Sequence, residues 1–301
     1  MRTLTYTTTE KDAGRAVRSV VPQRFRLGQH AFRRLKVLGA IRISGVPVRA
    51  DYRLLAGETI EVHLPSDMEQ ETGVPAALDS SAPLSTIRYQ DEDIIILSKA
   101  APLPTLPAVH IKTPTLRDQV IALLHADPVS FVFHPINRLD KGTSGLMCVA
   151  RHAHAQRLLT AQLHTGSFIR EYLAVTDGVP PQESGVIDAP IARLGEGTRR
   201  AVRADGQRAV THYRTERTAG QHSLLRLRLE TGRTHQIRVH LSSVGCPIAG
   251  DYLYGSEHPA LPGRFALHSA HISLIQPITG KRIELDEPLP PALFSLLEKS
   301  D

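Results

Sequence analysis

The feature that most constrains this fold is a break in charge and patterning in the first third of the chain. Residues 65–85, within LPSDMEQETGVPAALDSSAPLS (Leu64–Ser85), carry four acidic residues and no basic ones. Their apolar residues follow neither a helical nor a strand period. The 64 residues before them hold 12 Lys/Arg against 5 Asp/Glu, and the residues after them hold 24 against 21. A Pro- and Ser-containing acidic stretch between two patterned regions reads as a linker. The chain is therefore expected to form a small basic module over 1–64, a linker over 65–85 and a larger domain over 86–301.

Within the first module, Leu27, Ala31, Leu35 and Leu38 recur at helical spacing, and Gly39 supplies a stop. Arg33, Arg34 and Lys36 lie off that stripe. Ile41-Arg42-Ile43 then alternates, Ser44-Gly45 turns, and Ile60, Val62 and Leu64 alternate again. Short helices followed by a hairpin, with cations on a helix face, suit phosphate contacts. The concentrated positive charge suggests a polyanionic partner, although charge alone fits a solvated surface equally well.

Beyond Thr86, strands and helices mix without regular alternation. Ile94 to Leu97 is a buried strand candidate. Leu116, Val120, Leu123 and Leu124 fit a helix, as do Ala155, Leu158, Leu159 and Leu163, with Gly166 as terminator. Phe168 to Val175 reads as a strand that places Phe168, Arg170, Tyr172 and Ala174 on one face. Leu225, Leu227 and Leu229 alternate with arginines, and Thr234 is expected to cap a helix through Val244, ended by Gly245. The pattern predicts an α+β domain with a mixed, largely antiparallel sheet.

Three segments mix charged, aromatic and glycine residues in ways a plain core does not require. In Asn137–Ala150 (NRLDKGTSGLMCVA), Asp140 precedes a Gly-Thr-Ser-Gly turn and an apolar strand, a sensible mount for a reactive carboxylate. Alone, it reads equally as a turn cap or a partner of Lys141. In Arg170-Glu171-Tyr172, the tyrosine on a sheet face could stack on a nucleobase or simply pack in the core. In Thr231–Gly255 (TGRTHQIRVHLSSVGCPIAGDYLYG), His235 and Arg238, three apart on a helix, share a face away from Ile237 and Leu241. That places Arg238 on a rigid element, as a partner for a carboxylate or phosphate should be.

Together these segments resemble the RluA family of pseudouridine synthases over roughly residues 86–290. The resemblance is carried by Arg138-Leu139-Asp140 with Thr143-Ser144-Gly145-Leu146, by Gly232 through His240 (GRTHQIRVH), by Gly250-Asp251 with Leu253-Tyr254-Gly255, and by Ala266-Leu267-His268. Residues 1–64 resemble the RNA-binding domain of ribosomal protein S-four, through the basic helix ending at Gly39, the stretch Ile43–Val62 and Gly57. Two departures from the RluA pattern stand out: Ala100-Ala101-Pro102 after Lys99 where the family has Pro-Ala-Gly, and Asn137 where it often has His.

The resemblance implies the pseudouridine-synthase catalytic fold and conversion of uridine to pseudouridine in structured RNA, with ribosomal RNA favoured over transfer RNA. It implies Asp140 as catalytic aspartate, Tyr172 packed on the target base and Arg238 paired with Asp140. It also implies that Arg138 enters the stack vacated by the flipped nucleotide. Further RNA contacts are expected at Arg33, Arg34, Lys36, Arg233 and His235. The target base must leave its stack, at a cost of a few kcal/mol, which Arg138 and Tyr172 would offset. An adjacent Arg238 favours the ionised carboxylate and fixes its orientation.

Isomerisation involves no net redox change or hydrolysis, so no cofactor or metal is expected. The two cysteines lack CxxC spacing, and the fifteen histidines form no His-Glu-x-x-His. A serine hydrolase is disfavoured because Gly-x-Ser-x-Gly is absent. A glycoside hydrolase needs a second carboxylate, and Asp251 in its Gly-Asp turn reads as structural. A non-catalytic RNA-binding or ribosome-assembly protein that keeps the fold is the remaining alternative. With no apolar run near 18 residues and a polar Met1–Glu10, the chain is expected to be cytoplasmic without a membrane anchor. Nothing in the sequence marks an oligomer, and a monomer is the default expectation.

Overall fold

The computed structural model describes residues 2–65, 83–108, 113–126 and 132–298. Most of the expected linker lies outside the described residues.

The first module is a four-stranded antiparallel sheet with two helices. In chain order it comprises β1 (Arg2–Thr7), α1 (Val17–Arg24), α2 (Gln29–Val37), β2 (Ile41–Ile43), β3 (Val46–Pro47) and β4 (Thr59–Leu64). The sheet order is β1-β4-β2-β3, with Arg2 opposite Leu64 and Thr7 opposite Thr59. The polar N-terminus is thus a strand, which its threonines conceal because only Leu4 and the half-buried Tyr6 mark its core face. Ser44 and Gly45 both adopt positive φ, 49° and 79°, as a tight two-residue turn matched to strand twist requires. Val17, Val20, Val21, Leu35, Ile60 and Val62 form the core. Leu38, expected on the apolar stripe, is the C-cap of α2 and is exposed.

The larger domain is built on a ten-stranded sheet. It runs β5 (Thr86–Gln90), β6 (Ile94–Lys99), α3 (Leu116–Leu123), β7 (His134–Pro135), β8 (Ser144–Ala150), α4 (Ala153–Thr165), β9 (Ile169–Asp177) and β10 (Ser184–Asp188). A two-stranded ribbon, β11 (Ile191–Arg193) and β12 (Arg200–Val202), precedes β13 (Val210–Ala219) and β14 (His222–Leu229). The chain ends with α5 (Gln236–Ser243), β15 (Leu267–Ile275), β16 (Arg282–Asp286) and α6 (Pro291–Phe294). The main order is β10-β13-β14-β9-β15-β8-β6-β5, with β16 added to β15 and β7 to β8. Among the described residues, only β15 and β8 pair in parallel, at His268–Ser144 and Ser269–Gly145. The fold is α+β with a mixed, largely antiparallel sheet.

Strand alternation sorts the core into two layers. Ile95, Leu97, Met147 and Val149 face Leu116 and Val120 of α3 and Ile237 and Leu241 of α5. Ile94, Ile96, Leu146 and Cys148 face Ala155 and Leu159 of α4. Helices on both faces explain why β8 is buried along its whole length.

The module meets this domain at Asp93, which accepts from Arg2 Nε at 2.9 Å, His152 Nε2 at 3.0 Å and Gln276 Nε2 at 2.8 Å. Burial works to raise the Asp93 carboxyl, but these hydrogen bonds hold it down at about 2.

Candidate active site

The loop joining β7 to β8 carries Asn137, Arg138, Leu139 and Asp140, and its backbone is pinned on both sides of the aspartate. Thr105 Oγ1 donates to Leu139 O at 2.7 Å, and Thr143 N donates to Asp140 O at 3.0 Å. Lys99, 1% exposed, donates from Nζ to Ala100 O and Leu103 O at 2.8 Å and to Lys141 O at 3.5 Å. Burial pushes the Lys99 ammonium down to about 7, against the pull of Asp140 and with the push of Arg264. The altered sequence after Lys99 therefore still closes around a lysine that ties two loops together. Gly142 is needed here because a Cβ would stand 2.6 Å from the Phe265 ring.

Arg238 reaches this loop from α5. Its Nη1 donates to Asp140 Oδ2 at 3.1 Å, while Nε and Nη2 grip Asp251 at 2.7 and 2.8 Å. The bidentate geometry fixes the plane of the guanidinium, which also lies 4.2 Å from the centroid of Phe265 and 5.0 Å from that of Tyr254. Burial opposes the charge on Arg238, yet hydrogen bonds and attraction from Asp251 and Asp140 hold its pKa above the ordinary value. Asp251 is fully buried, so it is structural in the sense expected, and its role is specific: it orients Arg238.

The turn before α5 differs from the expectation. Thr234 does not cap the helix. His235 is the N-cap, at φ 59°, and makes no side-chain capping bond. The local work falls to Gln236, whose Oε1 accepts from Arg233 N and Thr231 Oγ1 while its Nε2 donates to Val210 O and Thr211 Oγ1. This buried amide, with its donors and acceptor all used, locks the turn onto β13. The left-handed backbone brings His235 Nε2 to 3.9 Å from Asp140 Oδ2. Burial lowers the His235 imidazole from its ordinary value, against the attraction of Asp140.

Tyr172 on β9 is 4% exposed and packs in the core beside Leu139 and Ile237. Burial raises its phenol, so it is a neutral ring. Phe168 does not share its surroundings. It precedes β9 and packs instead in the layer under α4, with Ile136 and Leu159, because strand alternation begins only at Ile169.

Arg138, Asp140, Arg170, Tyr172, His235 and Arg238 all line one cleft of about 890 Å³, and Arg233 stands at it with Nε donating to Arg208 O at 3.0 Å. Asp140 and Glu230 are the carboxylates among its lining residues, and Glu230 is paired with Arg208 and His212. A cleft with this excess of arginines suits a polyanion. Arg33, Arg34 and Lys36 are exposed on α2 and are not among the cleft's lining residues. Sequence reasoning missed Gln236 and Tyr254 as parts of the site, although both lie in segments it singled out. Among the described residues, no three His, Cys, Asp or Glu side chains converge as a metal site would.

Residues 93–243, which span this loop, β9 and α5, match the RNA pseudouridylate synthase family. The chain belongs to that family. This RNA pseudouridine synthase is 36% identical over 261 residues to the uncharacterized RNA pseudouridine synthase YjbO of Bacillus subtilis, covering 86% of this chain and 90% of the relative. It is 37% identical to ribosomal large subunit pseudouridine synthase D of Haemophilus influenzae, over 85% and 80% of the two chains. The synthase also shares its fold with the solved structure of human RNA pseudouridylate synthase domain containing 1, at a TM-score of 0.57 and 24% identity, over 69% of this chain and 86% of that one. The enzyme isomerises uridine to pseudouridine in RNA and is of the RluA type that its motifs resemble.

Proposed function

We propose that Asp140 is the catalytic carboxylate of this synthase and that its substrate is ribosomal RNA. The observation that carries the catalytic assignment is the 3.1 Å contact from Arg238 Nη1 to Asp140 Oδ2 within a basic cleft. Arg238 is held by Asp251 and two rings, so it presents Asp140 in one orientation. Tyr172, neutral and buried, offers a ring for the extruded uracil to pack on. Arg138, exposed at the mouth, fills the stack the base has left. Isomerisation breaks the ribose bond to N1 of uracil and forms one to C5, and the C5 proton leaves as N1 gains one. One carboxylate beside an extruded nucleotide suffices for this rearrangement.

The ribosomal assignment is supported by the relatives named for the large ribosomal subunit. We read residues 1–64 as an S-four-like docking module that uses Arg33, Arg34 and Lys36 on phosphates, with Arg233 and His235 completing contacts at the cleft. Asp140, Tyr172 and Arg238 come from one chain, which supports a monomer. No helix among the described residues is long and apolar enough to cross a membrane, in keeping with a cytoplasmic enzyme. The test is to map pseudouridine in total RNA from cells that carry the enzyme, lack it, or carry Asp140→Asn. Loss of a ribosomal site in the last two is the expected result. A site retained with Asp140→Asn would overturn the catalytic assignment, and loss confined to transfer RNA would overturn the substrate.

A further inference from the structure

We infer that Tyr254 is a positioning residue for the isomerisation: its hydroxyl dictates which nitrogen of His235 carries the proton, so that His235 and Arg238 both turn N–H groups toward Asp140 Oδ2 and leave Oδ1 to the substrate. This rests on the reading of Asp140 as the catalytic carboxylate.

The argument begins at the Tyr254 oxygen. Arg200 N lies 2.9 Å from it and His235 Nδ1 lies 2.8 Å from it. A backbone N–H only donates, so the phenol oxygen accepts from Arg200. The single phenol proton is then directed to His235 Nδ1, which acts as acceptor. A neutral imidazole with Nδ1 bare carries its proton on Nε2. Nε2 is the nitrogen that faces Asp140, 3.9 Å from Oδ2. The opposite tautomer would aim a lone pair at a carboxylate oxygen. Arg238 Nη1 approaches the same Oδ2, and Oδ1 has no partner among the described residues.

Tyr254 is itself held firmly. Asp251 Oδ1 accepts from Leu253 N at 3.1 Å and Tyr254 N at 3.3 Å, and Ser242 Oγ donates to Tyr254 O at 2.8 Å. One buried carboxylate therefore orders both the guanidinium and the tyrosine that act on Asp140. The tyrosine ring meets the His235 ring edge-on, with centroids 5.7 Å apart. Arg200 belongs to β12, so the chain of contacts from ribbon to carboxylate runs Arg200 N–H, Tyr254, His235, Asp140.

The test uses the full-length enzyme labelled with ¹⁵N-histidine, with His235 assigned by its loss in His235→Asn. The wild type is expected to show His235 neutral and protonated on Nε2. Tyr254→Phe, which keeps the ring over Arg238, should show mixed tautomers. Its single-turnover rate at saturating RNA should fall on the order of 10²-fold, with RNA affinity unchanged. Wild-type His235 protonated on Nδ1 or charged would overturn the proposal, as would a Tyr254→Phe enzyme with the wild-type rate. Turnover by Asp140→Asn would bring down the catalytic assignment and this proposal with it, whereas the other adverse results bring down the positioning role alone.

Discussion

Arg33, Arg34 and Lys36 stand on α2 with their charged heads in water, whereas Arg238 is 3% exposed between two carboxylates and two aromatic rings. Both sets contribute positive charge to the same RNA-directed enzyme, but they contribute different things. A solvated cation is screened by salt and costs little to lose. It supplies affinity without geometry. A buried guanidinium must be paired to be tolerated at all, and the pairing that makes it tolerable also fixes its direction. On the proposed function, the module attracts and the cleft aims.

The comparison breaks most decisively at Asp140. Asp140→Asn should keep the fold, with an unchanged melting temperature, and lose at least about 10³-fold in single-turnover rate. Ordinary turnover would mean that the oriented carboxylate is not the reacting group. Arg238→Met comes next. It strands Asp251 as a buried, uncompensated charge and should cost roughly 3–5 kcal/mol in urea unfolding as well as activity. A stability loss under 1 kcal/mol would show that Arg238 does not hold the buried carboxylates together.

A smaller effect is expected at His268, behind the loop that carries Asp140. Ser144 Oγ lies 2.9 Å from His268 Nδ1 and accepts from Arg264 Nη2 at 3.0 Å. Burial pushes the His268 imidazole down to about 4, with the Glu287 carbonyl opposing. The unfolded chain binds a proton near pH 6.5 that the folded chain refuses until about pH 4. Stability from this group is thus present above pH 6.5 and is lost as the pH falls through that window, by roughly 3 kcal/mol. His268→Gln should flatten the acid limb of a stability-versus-pH curve, and an unchanged slope would reject the assignment.

The smallest effect belongs to the exposed cations. Changing Arg33, Arg34 and Lys36 together to Gln should leave stability within about 0.5 kcal/mol per site and weaken RNA binding. It should also reduce the slope of log K against log salt by up to roughly 3, with the chemical step at saturating RNA unaffected. A slowed chemical step with unchanged affinity would erase the distinction between attracting and aiming.

Much of the scaffold was legible in the chain because its signals are local. The alternation in Ile94–Leu97 and Leu225–Leu229 marked β6 and β14, and Gly166 marked the end of α4 through its φ of 74°. The motif residues Asp140, Tyr172 and Arg238 were singled out by type and setting. Three features were not legible. β1 hid because only Leu4 and the half-buried Tyr6 of this strand pack on the core, and its partner β4 is more than fifty residues away. The helix start shifted from Thr234 to His235 because the side chain of Gln236, not a capping hydroxyl, secures the turn. Phe168 left the expected face because strand geometry starts one residue later.

Residue order alone set the periods, the turns and the types of group available, since those depend on neighbours within a few positions. Only tertiary packing decided that Arg238 would meet a carboxylate 98 residues away while gripping a second one, or that Tyr254 would stand between the ribbon and His235. The physical reason is burial: a charge or hydroxyl removed from water must find partners among whatever side chains the sheet topology brings beside it.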